Sequence, residues 1–335
     1  MNATTTSAPA ARGAGREVVL VTGAAGYIGQ LVLEALAARP GVIRCIVAAD
    51  VRETPLAERH PAITYLTQDV RDLSLARTLA EHRVDTVVHL AAIVTPTPEQ
   101  DRQLQYSVDV EGTENVLRAC IAAGARKLIV SSSGAAYGYH ADNARHLDEQ
   151  CALRGDEAFA YAHHKRLVEQ LLARYRLEHP ELAQLIFRVG TVLGRSVRNQ
   201  ITSLFEGRVV MGLRGVSTPF VFIWDGDVVA CIEEGIRTDK VGIYNLAGDG
   251  AVTLREIAAR LGKPYLELPE GLVTAALGAL QRLGRTQYGP EQVGFLKHRP
   301  VLLNRKLKQE FGYRPRYTSR EVFELYQQGR AGAGA

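Results

Sequence analysis

Tyr161 and Lys165 stand four residues apart in "YAHHK", a spacing that puts a phenol and an ammonium on one face of a helix. A neighbouring ammonium stabilises phenolate and draws the tyrosine pKa down toward working pH. A phenol held this way can give or take the proton of a substrate hydroxyl while hydride moves to or from a nicotinamide. Just upstream, "SSSGAAYG" closes an apolar run, and Ser133 is its last hydroxyl. Beside the tyrosine, that hydroxyl can hold the same substrate oxygen. Taken alone, such a Tyr/Lys pair is an ordinary surface pair, and its weight comes from the elements around it.

The first of those elements is "VTGAAGYIGQ", with Gly23, Gly26 and Gly29 spaced three apart. It follows "EVVLVT", which reads as a buried strand. It precedes a stretch with apolar side chains at Ile28, Leu31, Val32, Ala35 and Leu36, a helical spacing stopped by Pro40 and Gly41. The glycines therefore lie on a strand-to-helix turn, where bare backbone can approach a pyrophosphate and the helix offers unpaired N–H groups. A second strand, "VIRCIVAAD", ends in Asp50, 21 residues after Gly29. A carboxylate there accepts hydrogen bonds from the adenosine ribose hydroxyls. It also repels a 2′-phosphate, which favours NAD and makes NADP the lesser candidate. Arg52 is the counter-argument, because its guanidinium can swing onto that phosphate.

Strand-like runs continue to alternate with helical ones as far as Gly194. "AITYLTQD", "VDTVVHLAA", "ARKLIVSSS" and "AQLIFRVG" read as strands, and "DLSLARTLAEH", "TENVLRACIAAG" and the long run containing Tyr161 read as helices. This predicts an α/β fold, a Rossmann-type doubly wound parallel sheet, whose ligand lies at the carboxyl ends of the strands. Polar residues cluster at those ends: Asp50, Asp69, Ser131 to Ser133 and Thr191. Past Gly194 come basic loops, a β-rich "GVSTPFVFIW" and short helices. The organisation expected is a loose tail over 1–16, an NAD-binding domain over 17–194 and a smaller substrate-binding lobe over 195–330.

The bulk properties narrow the class. The chain has 335 residues, 46% hydrophobic and 23% charged, enough for one large domain and a lobe. A net charge of +4 gives no reason to expect nucleic acid. From Arg282 to Arg320, however, there are ten Lys or Arg and two acids, Glu291 and Glu310, which reads as a solvated surface or as a lobe meeting an anionic group. Cys45, Cys120, Cys151 and Cys231 are widely spaced and read as buried thiols of a reducing compartment. No residues have metal-ligand spacing. The N-terminal tail lacks the apolar core of a signal peptide, and no run is apolar for the length of a membrane span, so a cytoplasmic protein is expected.

With these residues in view, the chain resembles an extended short-chain dehydrogenase/reductase of the NAD-dependent epimerase/dehydratase branch, over roughly Val18 to Phe323. The motifs are T-G-x-x-G-x-x-G at Thr22 to Gly29, D-V-R-D at Asp69 to Asp72, H-L-A-A at His89 to Ala92, S-S-S-x-x-x-Y-G at Ser131 to Gly138, and Y-x-x-x-K at Tyr161 to Lys165. The resemblance implies that Ser133, Tyr161 and Lys165 are catalytic. It implies that Asp69 and Val70 line the adenine, that Leu90, Ala91 and Ala92 line the cofactor path, and that Tyr27, Ile28, Ser131 and Val189 also meet the cofactor. It further implies a homodimer in which two long helices from each subunit form a four-helix bundle. Val116, Leu117 and Ile121 on one helix, with Leu167, Val168, Leu171, Leu172 and Tyr175 on the other, are more apolar than one core-facing stripe needs.

Three departures bear on the substrate. Thr191 stands where many sugar-nucleotide members carry Asn. Ser217, Thr218 and Pro219 stand where an Arg is often found. Asp109 replaces the Asn that opens the N-V-x-G-T helix. Losing two phosphate-binding positions weakens a nucleotide-sugar reading, although Arg195, Arg198 and Arg214 offer replacement charge. Val94, Thr95 and Ala135 are the remaining candidates for the small-molecule substrate. The apolar "GLVTAALGALQRLG" reads as core packing, or as the wall of a less polar pocket. The leading expectation is an NAD-dependent oxidoreductase acting on a secondary alcohol or ketone. The alternatives are a nucleotide-sugar epimerase or dehydratase of the UDP-glucose 4-epimerase kind with internally recycled NAD, and a non-catalytic NAD-binding regulatory protein.

Overall fold

The apolar runs expected as strands pair into one parallel sheet. In this computed structural model residues 17–94, 101–197, 200–285, 289–290 and 292–333 are described. The expected tail at 1–16, Thr95 and Arg198 lie outside them. Strands β1 (Glu17–Thr22), β2 (Ile43–Asp50), β3 (Ile63–Thr67), β4 (Thr86–His89), β5 (Lys127–Ser133) and β6 (Ala183–Val189) come from the first half of the chain. Short strands β7 (Thr191–Leu193), β8 (Val210–Leu213), β9 (Pro219–Phe220) and β10 (Phe222–Trp224) follow, and then β11 (Gly242–Leu246). The sheet runs β11-β6-β5-β4-β1-β2-β3. Its seventh strand comes from beyond residue 194, so the chain leaves the sheet and returns to it, and the segment expected as a separate lobe is not all outside the nucleotide-binding layer.

Helices α1 (Tyr27–Ala38), α2 (Leu75–His82), α3 (Arg102–Tyr106), α4 (Gly112–Ala123) and α5 (Ala160–Glu178) include the three long ones expected. Alternate residues of each strand serve opposite faces. Val19 and Val21 pack with Val32 and Leu36 of α1 and with Val228 and Ile232 of the helix Asp225–Arg237. Val18 and Leu20 pack with Leu75 and Leu79 of α2, Val116 and Leu117 of α4, and Val168 and Leu172 of α5. A third cluster, with Phe205, Phe220, Phe222, Leu254 and Phe323, forms the C-terminal part. Each such side chain contributes roughly 1.5–3 kcal/mol by leaving water.

Three expectations change in detail. Much of the apolar surface assigned to a dimer is the chain's own core: Val116, Leu117, Val168, Leu172 and Tyr175 are buried, which leaves Ile121, Leu167 and Leu171 half-exposed. The apolar run at 271–284 forms the helix Glu270–Arg282, but none of its residues is buried, so it is not core packing. Cys120 and Cys231 are buried, whereas Cys45 and Cys151 are only partly so, and all four are free thiols. Among the described residues no helix is long and apolar enough to cross a membrane.

Candidate active site

The order of the sheet reverses between β1 and β4, and the turns leaving these two strands meet there. Gly23 follows β1 with φ +67°, a conformation that suits glycine, and a Cβ on it would lie 2.6 Å from the Ala91 nitrogen. A Cβ on Gly29 would lie 2.3 Å from the Gly23 carbonyl oxygen. Gly26 is the N-cap of α1, which has neither a side-chain cap nor an acid in its first turn. The backbone N–H groups of Tyr27 and Ile28 are thus left for an anion. The Tyr27 hydroxyl instead turns away and donates to Asp225. Asp50 ends β2, buried, and accepts from the Ala25 N–H at 3.0 Å, so the carboxylate and the glycine turn are locked together. Its other oxygen accepts from the Arg52 N–H and Nε at 3.0 and 3.3 Å, which holds the Arg52 side chain on the acid.

Asp69 and Val70 follow β3. Asp69 is held by Arg71 (Nη2 to Oδ2, 2.6 Å), and this hydrogen bond keeps its carboxyl below the usual carboxylate range. Val70 is buried, with its carbonyl bonded to Asn115 at 2.7 Å. Past β4, Leu90, Ala91 and Ala92 are half-buried along the same crevice, and Val94 is exposed. His89 bridges Thr22 (Nδ1, 2.8 Å) and Thr113 (Nε2, 3.0 Å). The Thr113 hydroxyl donates to the Asp109 carbonyl, so Nε2 carries the proton and Nδ1 accepts from Thr22. Burial, with help from the Lys165 charge, pushes His89 down to about 3, leaving it a neutral strut.

The expected catalytic residues converge. Ser133 ends β5 in register with Val189 of β6, and its Oγ accepts from the Ala135 N–H at 3.1 Å as the chain turns under it. Tyr161 is in the first turn of α5, with Ser133 as its hydrogen-bonding neighbour. Lys165 is buried one turn on, donates to the Ser131 carbonyl at 3.1 Å, and lies 5.7 Å from the centre of the Tyr161 ring. The tyrosine pKa does not fall as the spacing predicts. Burial pushes it up to about 12, opposed by the Ser133 hydrogen bond and reinforced by the charge of Asp109. Desolvation also lowers the Lys165 pKa, and its ammonium is engaged with a backbone carbonyl.

At the substrate end, Thr191 does not stand alone. Arg299 donates through Nη2 to its hydroxyl at 3.2 Å. The guanidinium lies between Phe220, at 4.1 Å, and Phe295, at 4.4 Å. Its Nε and Nη1 are shut off from water with no partner among the described residues. Phe159, next to α5, stacks on Phe295 at 5.5 Å, and Tyr139 meets both edge-on. Burial pushes the Tyr139 phenol up, and the Arg299 charge opposes that shift. Arg195 and Arg214 are exposed, and neither guanidinium is bonded to another described side chain. Among the described residues the cation bonded to Thr191 is Arg299, from the basic segment of the sequence, and the signal that could have found it is that local charge excess.

Residues 19–217, more than half of the chain, match the NAD dependent epimerase/dehydratase family. The chain belongs to that family. An uncharacterized protein of Mycobacterium tuberculosis is 25% identical over 317 residues, 94% of this chain and 84% of that protein. The UDP-glucose 4-epimerase of Azospirillum brasilense is 33% identical over 184 residues, 52% of this chain and 49% of the relative. Among solved structures, the Thermus thermophilus UDP-glucose 4-epimerase complex with NAD is 25% identical, with a TM-score of 0.71 over 92% of this chain and 99% of that one.

As a family member the chain uses NAD, and its own residues fit that group. The glycine turn is a cradle that a side chain would fill, the uncapped end of α1 suits a pyrophosphate, and Asp50 offers an acceptor to a ribose.

Proposed function

We propose that this chain transfers hydride between nicotinamide and the carbon of a secondary alcohol or ketone, with Tyr161 as the acid/base. The observation that carries this reading is the convergence of Ser133, Tyr161 and Lys165 at the carboxyl edge of the sheet, beside the Gly23–Ala91 crevice. NAD, when bound, supplies the hydride acceptor and a positively charged ring. In reduction the protonated Tyr161 gives its proton to the substrate oxygen as hydride reaches the carbon, and in oxidation its phenolate form takes the substrate O–H proton as the carbinol C–H bond breaks. Ser133 holds the same substrate oxygen. Lys165 fixes the face of α5 through Ser131 and supplies a cation that favours phenolate. The intact trio argues against a purely regulatory NAD-binding role.

A second reading, that the substrate is a nucleotide sugar and NAD is recycled within each turnover, is supported by Arg299. Buried N–H groups without partners are costly, roughly 1–3 kcal/mol each, and an anionic oxygen would satisfy them. The relatives named UDP-glucose 4-epimerase point the same way. Incubation with NAD and a panel of UDP-sugars, free alcohols and ketones, following absorbance of reduced cofactor, separates the readings. Steady accumulation with an alcohol supports the dehydrogenase. Conversion of a UDP-sugar without accumulation supports the epimerase or dehydratase. No turnover across the panel would count against both.

A further inference from the structure

Beneath the catalytic face of α5 lies a second acid that the reaction above does not use. Asp109 sits in a π-helical segment, Ser107–Glu111, inserted between α3 and α4. Such segments recur where a side chain must be aimed at a functional site. Asp109 is buried, and its two oxygens have separate partners. Oδ1 accepts from the Ile93 N–H at 2.8 Å, on the loop that carries Leu90 to Ala92. Oδ2 faces Nδ1 of His164 at 3.4 Å, and His164 is the residue of α5 immediately before Lys165, itself buried. The Tyr106 ring closes the other side, edge-on to His164 at 5.7 Å.

The charge of Asp109 matters because little offsets it. Glu169, the other buried carboxylate near Lys165, is neutralised by Arg188 at 2.8 Å and bonded to Ser132. Asp109 has no guanidinium or ammonium within ion-pair distance among the described residues, and its one ionisable contact is His164. The other ionisable groups around the pair are Tyr161, His163 and Lys165 on α5, Arg102 and Tyr106 on α3, Glu111 and Glu114 beside it, and neutral His89 on β4. We propose that the Asp109 carboxylate, held between the Ile93 N–H and His164, is a positioning charge for the Tyr161–Lys165 pair. It ties the cofactor-side loop to the catalytic helix and sets a negative field there that an amide of the same shape would not. It acts through the Ile93 N–H and His164, its partners here. Burial acts most strongly on both groups, raising the Tyr161 pKa and lowering that of Lys165, and the Asp109 charge reinforces the first shift and opposes the second.

This inference rests on the proposed role of Tyr161, and its test reads position 161 without turnover. Placing 3-fluorotyrosine at 161 in the NAD-bound protein gives a fluorine NMR signal that follows ionisation at that position alone. Asp109→Asn keeps an acceptor for Ile93 and removes the charge, and should lower the half-titration pH by about one unit. Asp109→Ala should move it the same way, so one variant that fails to fold leaves the other. A purely structural role would alter melting temperature and leave the titration in place. An unchanged half-titration pH in a folded Asp109 variant would overturn the proposal. Retained turnover in Tyr161→Phe would instead overturn the catalytic reading, whatever the titration shows.

Discussion

Tyr161, half-buried, and His89, buried, are both ionisable groups near Lys165, and desolvation moves them in opposite directions because each resists its charged form. The tyrosine, serine, lysine and glycines were legible because their chemistry depends on type and spacing. The depth of burial was not, since it depends on strands and helices distant in sequence, and so the tyrosine pKa was expected on the wrong side of its ordinary value. Asp109 stands out in the sequence as an acid in place of Asn, but nothing there pairs it with His164, 55 residues away, which only the packing of α5 brings to it. His89 yields a pH prediction. Its folded value of about 3 lies below the ordinary 6.5, so the unfolded chain binds the extra proton. Its contribution is complete above about pH 6.5 and drains away as pH falls toward 3. Between about pH 7 and about pH 4 that amounts to about 3 kcal/mol. Urea unfolding of wild type and His89→Gln across that range measures it. The variant should be less stable at neutral pH and show a shallower loss on acidification, and parallel curves would contradict the assignment.

At the scale of elements, the turn between β1 and α1 shows what two of the three spaced glycines do. Gly23 supplies a left-handed backbone, and Gly29 makes room for the Gly23 carbonyl. Gly29→Ala should therefore force the turn open, costing about 1–3 kcal/mol and most of the affinity for NAD. Gly124 is the control. It caps α4 with φ +69° and open space around it, so alanine there should cost about 1 kcal/mol and leave NAD binding intact. NAD titration and thermal melts of both variants decide this, and equal NAD binding would contradict the cradle. The strands were readable from apolar alternation and their polar ends. The helix Glu270–Arg282 was not, because apolar periodicity reports an apolar face without saying what covers it.

Over the whole molecule, parallel strand order places Asp50, His89, Ser133 and Val189 at ends of neighbouring strands, so residues far apart in sequence share one edge. That much follows from alternating strands and helices. The return of β11 to the sheet and the reach of Arg299 to Thr191 depend on the irregular C-terminal third, whose sequence has no regular apolar period. Leu167, Leu171 and Ile121 remain half-exposed on α4 and α5, and a two-fold dimer through these helices is the assembly proposed for them. Light scattering should give the mass of two chains at micromolar concentration, and Leu171→Glu should give one. A single-chain mass for the unaltered protein would refute the dimer. The central claim, that hydride transfer here depends on a proton held by Tyr161, is tested most directly by Tyr161→Phe, with turnover measured on whichever panel substrate is converted and NAD affinity measured alongside. The account predicts a loss of turnover of about 10²–10⁴-fold with NAD affinity nearly unchanged, and a variant that turns over at the unaltered rate would contradict it.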